Sequence, residues 1–212
     1  MSAALLVIAK APVPGRVKTR LCPPCTPAQA ARLAHAALED TLAACAAAAG
    51  VGRRVLVLDG EPGAWLPGGW EVVPQRGDGL ATRLAAAFAD AGEPAFLVGM
   101  DTPQVTPGHL GDGLAALEQA QAVFGPATDG GYWGLGLREA DPAVFTGVPM
   151  SRPDTGAMQR ARLDALGLRT VDLPPLLDVD DIAAARAVAA QAPAGRFAAV
   201  LDAIEPTLRV AS

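Results

Sequence analysis

The chain has 212 residues, 51% hydrophobic and 18% charged, enough for one sizeable core and unlike a disordered protein. A net charge of -5 gives the molecule as a whole no electrostatic reason to seek nucleic acid, and no apolar run approaches the roughly 18–20 residues that span a bilayer. No basic segment precedes the apolar stretch Ala3 to Ala9 and no long apolar run follows it, so a signal peptide is not expected and the expected compartment is the cytoplasm.

Ala4 to Ala9 reads as a buried strand, short, apolar and closed by a turn-rich segment. Cys22-Pro23-Pro24-Cys25 has C-x-x-C spacing, but too few further ligands exist for a structural zinc and the pair does not open a helix after a strand. Two ordinary cysteines are expected. Thr26-Pro27 is a helix start, and the helix runs through Leu33, Leu38 and Leu42 to Gly50. Arg53 to Leu58 is the next strand, Trp70 to Pro74 a short third one, and Gly79 to Ala91 an amphipathic helix.

Ala95 to Gly99 is another buried strand. Thr106-Pro107 opens a helix to about Ala120, and Ala122 to Phe124 and Tyr132 to Leu137 are strands. A helix capped at Asp154 or Thr155 runs to Leu166, Leu168 to Leu173 is extended, and helices follow from Asp181 and from Arg196 to Ile204. Strands alternating with helices of this length predict a single α/β domain with a mostly parallel sheet covered on both faces.

The densest charge lies in Lys10 to Arg20, just after the first strand. Four of the 17 basic residues (Lys10, Arg16, Lys18, Arg20) fall in these 11 positions, where even scatter predicts roughly one. Lys10 and Lys18 are the only lysines, and no acidic residue precedes Glu39. Ligands of open α/β sheets bind beyond the carboxyl ends of the strands, where this loop lies. It is expected to hold nucleotide phosphates, with Gly15 allowing close backbone approach and Pro12 and Pro14 stiffening it. Neither G-x-x-x-x-G-K-[ST] nor G-x-G-x-x-G is present, so this is not a Walker or dehydrogenase-type loop.

Asp101 follows a buried strand directly, where it can ligate Mg²⁺ or Mn²⁺ or form a turn with Thr102-Pro103. Asp129-Gly130-Gly131 is a tight turn, and Asp129 can meet an acceptor or a metal. Tyr132 and Trp133 beside it either shape an acceptor pocket or fill core. In Asp178-Val-Asp180-Asp181, Asp180 is the expected second metal carboxylate, with helix capping as the alternative. His35 and His109 lie in helices and are unconvincing bases, and no arrangement suggests a covalent mechanism.

Together K-A-P-x-P-G-R-V-K-T-R-L, Q-R-G-D-G-L-A-T-R-L (Gln75 to Leu84), G-M-D-T-P, G-P-A-T-D-G-G-Y and D-V-D resemble the DUF2064 family, also called radical-SAM/selenodomain-associated transferase 1. That family belongs to the GT-A-like nucleotide-diphospho-sugar transferases. The Pro14 to Cys45 stretch is similar also to 2-phospho-lactate guanylyltransferase. The resemblance implies a three-layer α/β/α sandwich with a mixed, mainly parallel sheet, and a phosphate cradle of Gly15, Arg16, Lys18 and Arg20. It implies that Gly77, Gly79 and Leu80 border base and ribose, that Asp101 and Asp180 carry the metal, and that Gly130 and Gly131 line the acceptor side. Met150-Ser-Arg-Pro-Asp-Thr155 departs from the family's W-S-T-x-x-T, and the D-V-D segment lacks the usual T-P-E insert, so the acceptor is not carried over.

The expected function is a Mg²⁺- or Mn²⁺-dependent nucleotidyltransferase that joins a nucleoside triphosphate to a small phosphorylated acceptor and releases pyrophosphate. Lys18, Arg20, Asp101 and Asp129 are the expected catalytic set. A glycosyltransferase using a nucleotide sugar is the alternative, against which stands the lack of D-x-D at Asp101. A non-catalytic nucleotide-binding protein is the third reading. No nucleic-acid or membrane partner is expected, and the sequence does not specify an oligomeric state.

Overall fold

The N-terminal apolar run forms the central strand β1 (Ala3–Lys10), buried on both faces. In the computed structural model, which describes residues 3–92 and 94–208, its side chains alternate between two layers. Ala3, Leu5, Val7 and Ala9 pack on one side, and Ala4 and Leu6 on the other. The period-2 geometry of a strand requires this when both faces are covered.

The remaining strands are β2 (Val51–Asp59), β3 (Glu71–Pro74), β4 (Ala95–Gly99), β5 (Ala122–Pro126), β6 (Tyr132–Leu137) and β7 (Thr170–Asp172). All seven form one sheet in the order β3-β2-β1-β4-β6-β5-β7. Only β6 runs against its neighbours, pairing antiparallel with β4 and β5. The other pairings are parallel, so the expected mixed, mainly parallel sheet is present.

Helices α1 (Pro27–Ala47) and α3 (Pro107–Ala116) cover one face. Helices α2 (Leu80–Ala91) and α4 (Thr155–Ala165) cover the other, together with the 3-10 turn Pro142–Phe145. These are the three layers of the sandwich. Helices α5 (Ile182–Gln191) and α6 (Arg196–Leu208) pack on the outside of α1. Helix α1 is therefore buried on two sides, Leu38 and Leu42 toward the sheet and Leu33 and Ala37 toward α5 and α6. Its many alanines suit this, combining high helix propensity with close approach.

The expected Thr-Pro starts are both capping boxes. Thr26 accepts from Gln29 N–H, and Thr106 from His109 N–H. Helix α3 ends at Ala116 and not near Ala120, because Glu118 and Gln119 N–H turn back to the Ala115 and Ala116 carbonyls in a tighter 3-10 geometry. Helix α6 passes Ile204 and continues to Leu208. Among the described residues no helix is long and apolar enough to cross a membrane.

Candidate functional site

The carboxyl ends of β1, β2, β4 and β5 and the start of β6 share one edge of the sheet. The basic loop leaves β1 there through a tight turn in which Arg16 N–H donates to the Val13 carbonyl at 3.0 Å. Pro14 and Gly15 occupy its corners. Gly15 has φ +78°, the conformation a type II turn requires at that corner. Val17 and Leu21 are buried and anchor the loop, while Arg16 and Arg20 stay exposed.

Lys18 turns inward instead. Its own backbone is left-handed at φ 47°, and its side chain is only 9% exposed. The ammonium lies 2.6 Å from Asp101 Oδ1 and also donates to the Val179 carbonyl.

Val179 reaches this point because the chain after β7 crosses the sheet edge. Leu176 N–H donates to the Pro126 carbonyl at 3.1 Å, Thr128 N–H to the Leu176 carbonyl at 2.9 Å, and Val179 N–H to the Asp101 carbonyl at 2.9 Å. The indole N–H of Trp133 holds the Pro174 carbonyl at 3.0 Å. Trp133 is otherwise core, edge-on to Phe96. The crossing sets Asp178 close enough to Asp101, Asp129 and Lys18 for their charges to act on it. Burial pushes its carboxyl up to about 7, the carboxylates of Asp101 and Asp129 add to the rise, and the Lys18 ammonium opposes it. Asp178 Oδ1 is buried without a hydrogen-bond partner.

These groups line a cleft of about 710 Å³. Lys10, Arg16, Lys18 and Arg20 contribute its basic wall, and Asp101, Asp129, Asp178 and Asp180 its acidic floor. Asp180 gives one oxygen to Arg20 at 2.7 Å, on the exposed rim. Asp180, the expected second metal carboxylate, is therefore paired at the rim, while Asp178 has the buried carboxylate oxygen without a partner.

At the far end the cleft is bounded by Gln75, Leu80 and Arg83. Gln75 Nε2 donates to the Ala9 carbonyl at 2.8 Å, and Arg83 Nη1 donates to Gln75 Oε1 at 3.2 Å and approaches Asp59 at 3.4 Å. Arg83 Nε also holds the Gly77 carbonyl. Gly77 and Gly79 both have positive φ and shape the turn into α2, but the side chains that reach the cleft are their neighbours. Gln75 and Arg83 belong to the Q-R-G-D-G-L-A-T-R-L motif, in which only Gly77, Gly79 and Leu80 were expected at the nucleotide.

On the opposite side stand Gly131, Tyr132, Met150 and Arg152. Burial raises the Tyr132 phenol well above its ordinary range. Asp129 Oδ1 accepts from Gly131 N–H at 2.9 Å, an Asx turn. Gly130, expected on the acceptor side, lies behind the cleft, where a Cβ would sit 1.8 Å from the Pro153 carbonyl oxygen. Gly15, Gly77 and Gly79 likewise stay outside the lining. Cys22, Cys25 and Cys45 are free, and burial raises each thiol, so none is an activated nucleophile.

Among curated proteins none matches the chain. Among solved structures, it is similar to a candidate nucleotide-diphospho-sugar transferase from Desulfovibrio desulfuricans G20, with TM-score 0.87, 25% identity and coverage of 100% of this chain and 99% of that one. It also shares its fold with CMP:2-keto-3-deoxy-manno-octonic acid synthetase complexed with CTP, at TM-score 0.54 and 14% identity over 89% of this chain and 98% of that one. Rv0371c from Mycobacterium tuberculosis H37Rv, in complex with manganese, gives TM-score 0.52 and 22% identity over the same shares of the two chains. The profile described as "uncharacterized protein conserved in bacteria (DUF2064)" matches residues 30–152, and the chain belongs to that family.

Proposed function

We propose that this chain is a transferase that moves a nucleotidyl group from a nucleoside triphosphate to a small phosphorylated acceptor, with release of pyrophosphate. The observation that carries the reading is the basic loop and the Asp101 and Asp178 carboxylates lining one cleft, with Lys18 of that loop paired to Asp101. Arg16 and Arg20 are exposed cations at the cleft wall, suited to the β- and γ-phosphates and to the charge that grows on the leaving pyrophosphate. Gln75 and Arg83 stiffen the turn on which Leu80 would border the nucleoside.

Among the described residues no three Asp, Glu, His or Cys side chains converge to hold a metal by themselves. Two carboxylates, one of them unpaired and buried, nonetheless fit Mg²⁺ or Mn²⁺, which takes its remaining ligands from water and phosphate. Asp101 and Asp178 would hold that ion, and when bound it would neutralise phosphate charge during transfer. An acceptor phosphate oxygen attacks the α-phosphorus, the bond to the bridging oxygen breaks, and pyrophosphate leaves. A phosphate acceptor is already ionised at neutral pH, so positioning replaces a general base. Arg152 is the cation on the acceptor side, lying 2.9 Å from Asp154.

A second reading is glycosyl transfer from a nucleotide sugar, favoured by the 25% identity to a candidate nucleotide-diphospho-sugar transferase. There Asp129 would take the proton of an acceptor hydroxyl. Product analysis separates the two. Pyrophosphate formed from a triphosphate supports the first, whereas nucleoside diphosphate released from a nucleotide sugar with no triphosphate consumed supports the second.

A further inference from the structure

Gln104 does not line the cleft and is buried, at 7% exposure, three residues after Asp101, which does. It occupies a tight turn in which Val105 N–H donates to the Thr102 carbonyl at 2.9 Å, with Pro103 and Gln104 at the corners. That turn continues straight from Asp101. Gln104 Nε2 donates to the Leu177 carbonyl at 2.7 Å, while its Oε1 has no partner.

Two residues further along the crossing segment, Val179 N–H bonds the Asp101 carbonyl at 2.9 Å. The two contacts flank Asp178, one through the residue before it and one through the residue after it. Asp178 Oδ1 accepts no hydrogen bond of its own, so its place is set through the backbone on either side. A half-paired buried amide is unfavourable compared with an aliphatic side chain of similar volume. What leucine cannot supply is a donor for the Leu177 carbonyl.

We infer that Gln104 is a positioning residue: by clamping Leu177 it fixes the Asp178 carboxylate relative to Asp101. The inference rests on the reading of these two carboxylates as the cation-binding pair. Outer partners that orient a metal ligand typically change affinity by about 10- to 100-fold when removed, and Gln104 falls in that class.

The test is Mn²⁺ binding with each ribonucleoside triphosphate present, measured as the water-proton relaxation enhancement over a protein-free control of Mn²⁺ with the same triphosphate, because the triphosphate itself chelates Mn²⁺. Wild type, Gln104→Leu and Gln104→Met are compared, the unbranched Met serving where Leu does not fold. The expected result is Mn²⁺ affinity weakened about tenfold or more in either variant. Metal-free nucleotide affinity should stay within about twofold, because the basic wall is untouched. A role in packing alone would lower the melting temperature and leave Mn²⁺ affinity unmoved, and that result overturns the inference while the functional reading stands. Absence of Mn²⁺ binding by the wild type with every triphosphate would overturn both.

Discussion

The Lys18 ammonium and Asp101 Oδ1 are 2.6 Å apart, and Lys18 is enclosed while Asp101 remains about half exposed. Lys18 also holds the Val179 carbonyl, so one side chain ties the basic loop, the strand-end acid and the crossing segment together. The enclosed ammonium offsets part of the negative charge that Asp101, Asp129 and Asp178 gather at this point.

Replacing Lys18 therefore tests both stability and chemistry. Lys18→Met should lower kcat/KM for pyrophosphate release by about 100-fold or more, the scale of losing one preorganised charge. Its stability cost should be only about 1 kcal/mol, because water screens the half-exposed Asp101. Lys18→Arg should not restore activity, since a planar guanidinium does not match a compact, enclosed ammonium socket. Steady-state kinetics and thermal unfolding of both variants check this.

Asp178 predicts a pH dependence. With its folded carboxyl at about 7, above the ordinary aspartate value, the folded state keeps a proton that the unfolded chain releases. This group's effect is absent below about pH 4, removes stability progressively between about pH 4 and 7, and then levels off, at up to about 4 kcal/mol. Thermal unfolding of the metal-free protein at pH 5 and pH 8 should show a fall in wild type and a much smaller one in Asp178→Asn. Mn²⁺ should restore wild-type stability most at the higher pH.

Asp40 supplies a control away from the cleft. Its carboxylate accepts from Arg196 N–H at 3.1 Å and Phe197 N–H at 2.9 Å, closing the start of α6 from the side of α1. Asp40→Ala should cost about 2 kcal/mol in urea unfolding, the upper range for a lost helix cap. Turnover should stay within about twofold of wild type.

Gly15 and Gly130 share a positive φ but not the same surroundings. A Cβ at Gly15 meets nothing within 4 Å, whereas one at Gly130 strikes the Pro153 carbonyl oxygen. Gly15→Ala should cost about 1 kcal/mol from backbone strain alone. Gly130→Ala should cost at least about 2 kcal/mol and raise KM for the acceptor, because the 150–155 loop must shift. Unfolding curves and acceptor titrations of the pair test the contrast.

The strands were legible because β1, β4 and β6 carry their burial in plain apolar runs, and the Thr-Pro pairs announced α1 and α3. The charged loop was visible for the same reason, as a local excess against an acidic chain. What sequence could not give was the path after β7. The choice between Asp178 and Asp180 depends on which residue the crossing segment turns toward Asp101, and hydrogen bonds to Pro126, Thr128 and Asp101 set that register. Gln104 and Arg83 were hidden similarly, since each acts through a backbone carbonyl far along the chain or across a turn.

Asp101 and Asp178 are proposed as the cation-binding end of a nucleotide cleft. The most direct measurement is anomalous scattering from crystals soaked with Mn²⁺ and a ribonucleoside triphosphate. The expected result is a manganese peak held by Asp101 and Asp178, with the phosphates running toward Arg16 and Arg20. A peak at Asp180 alone, or triphosphate bound in this cleft with no manganese between Asp101 and Asp178, would contradict it.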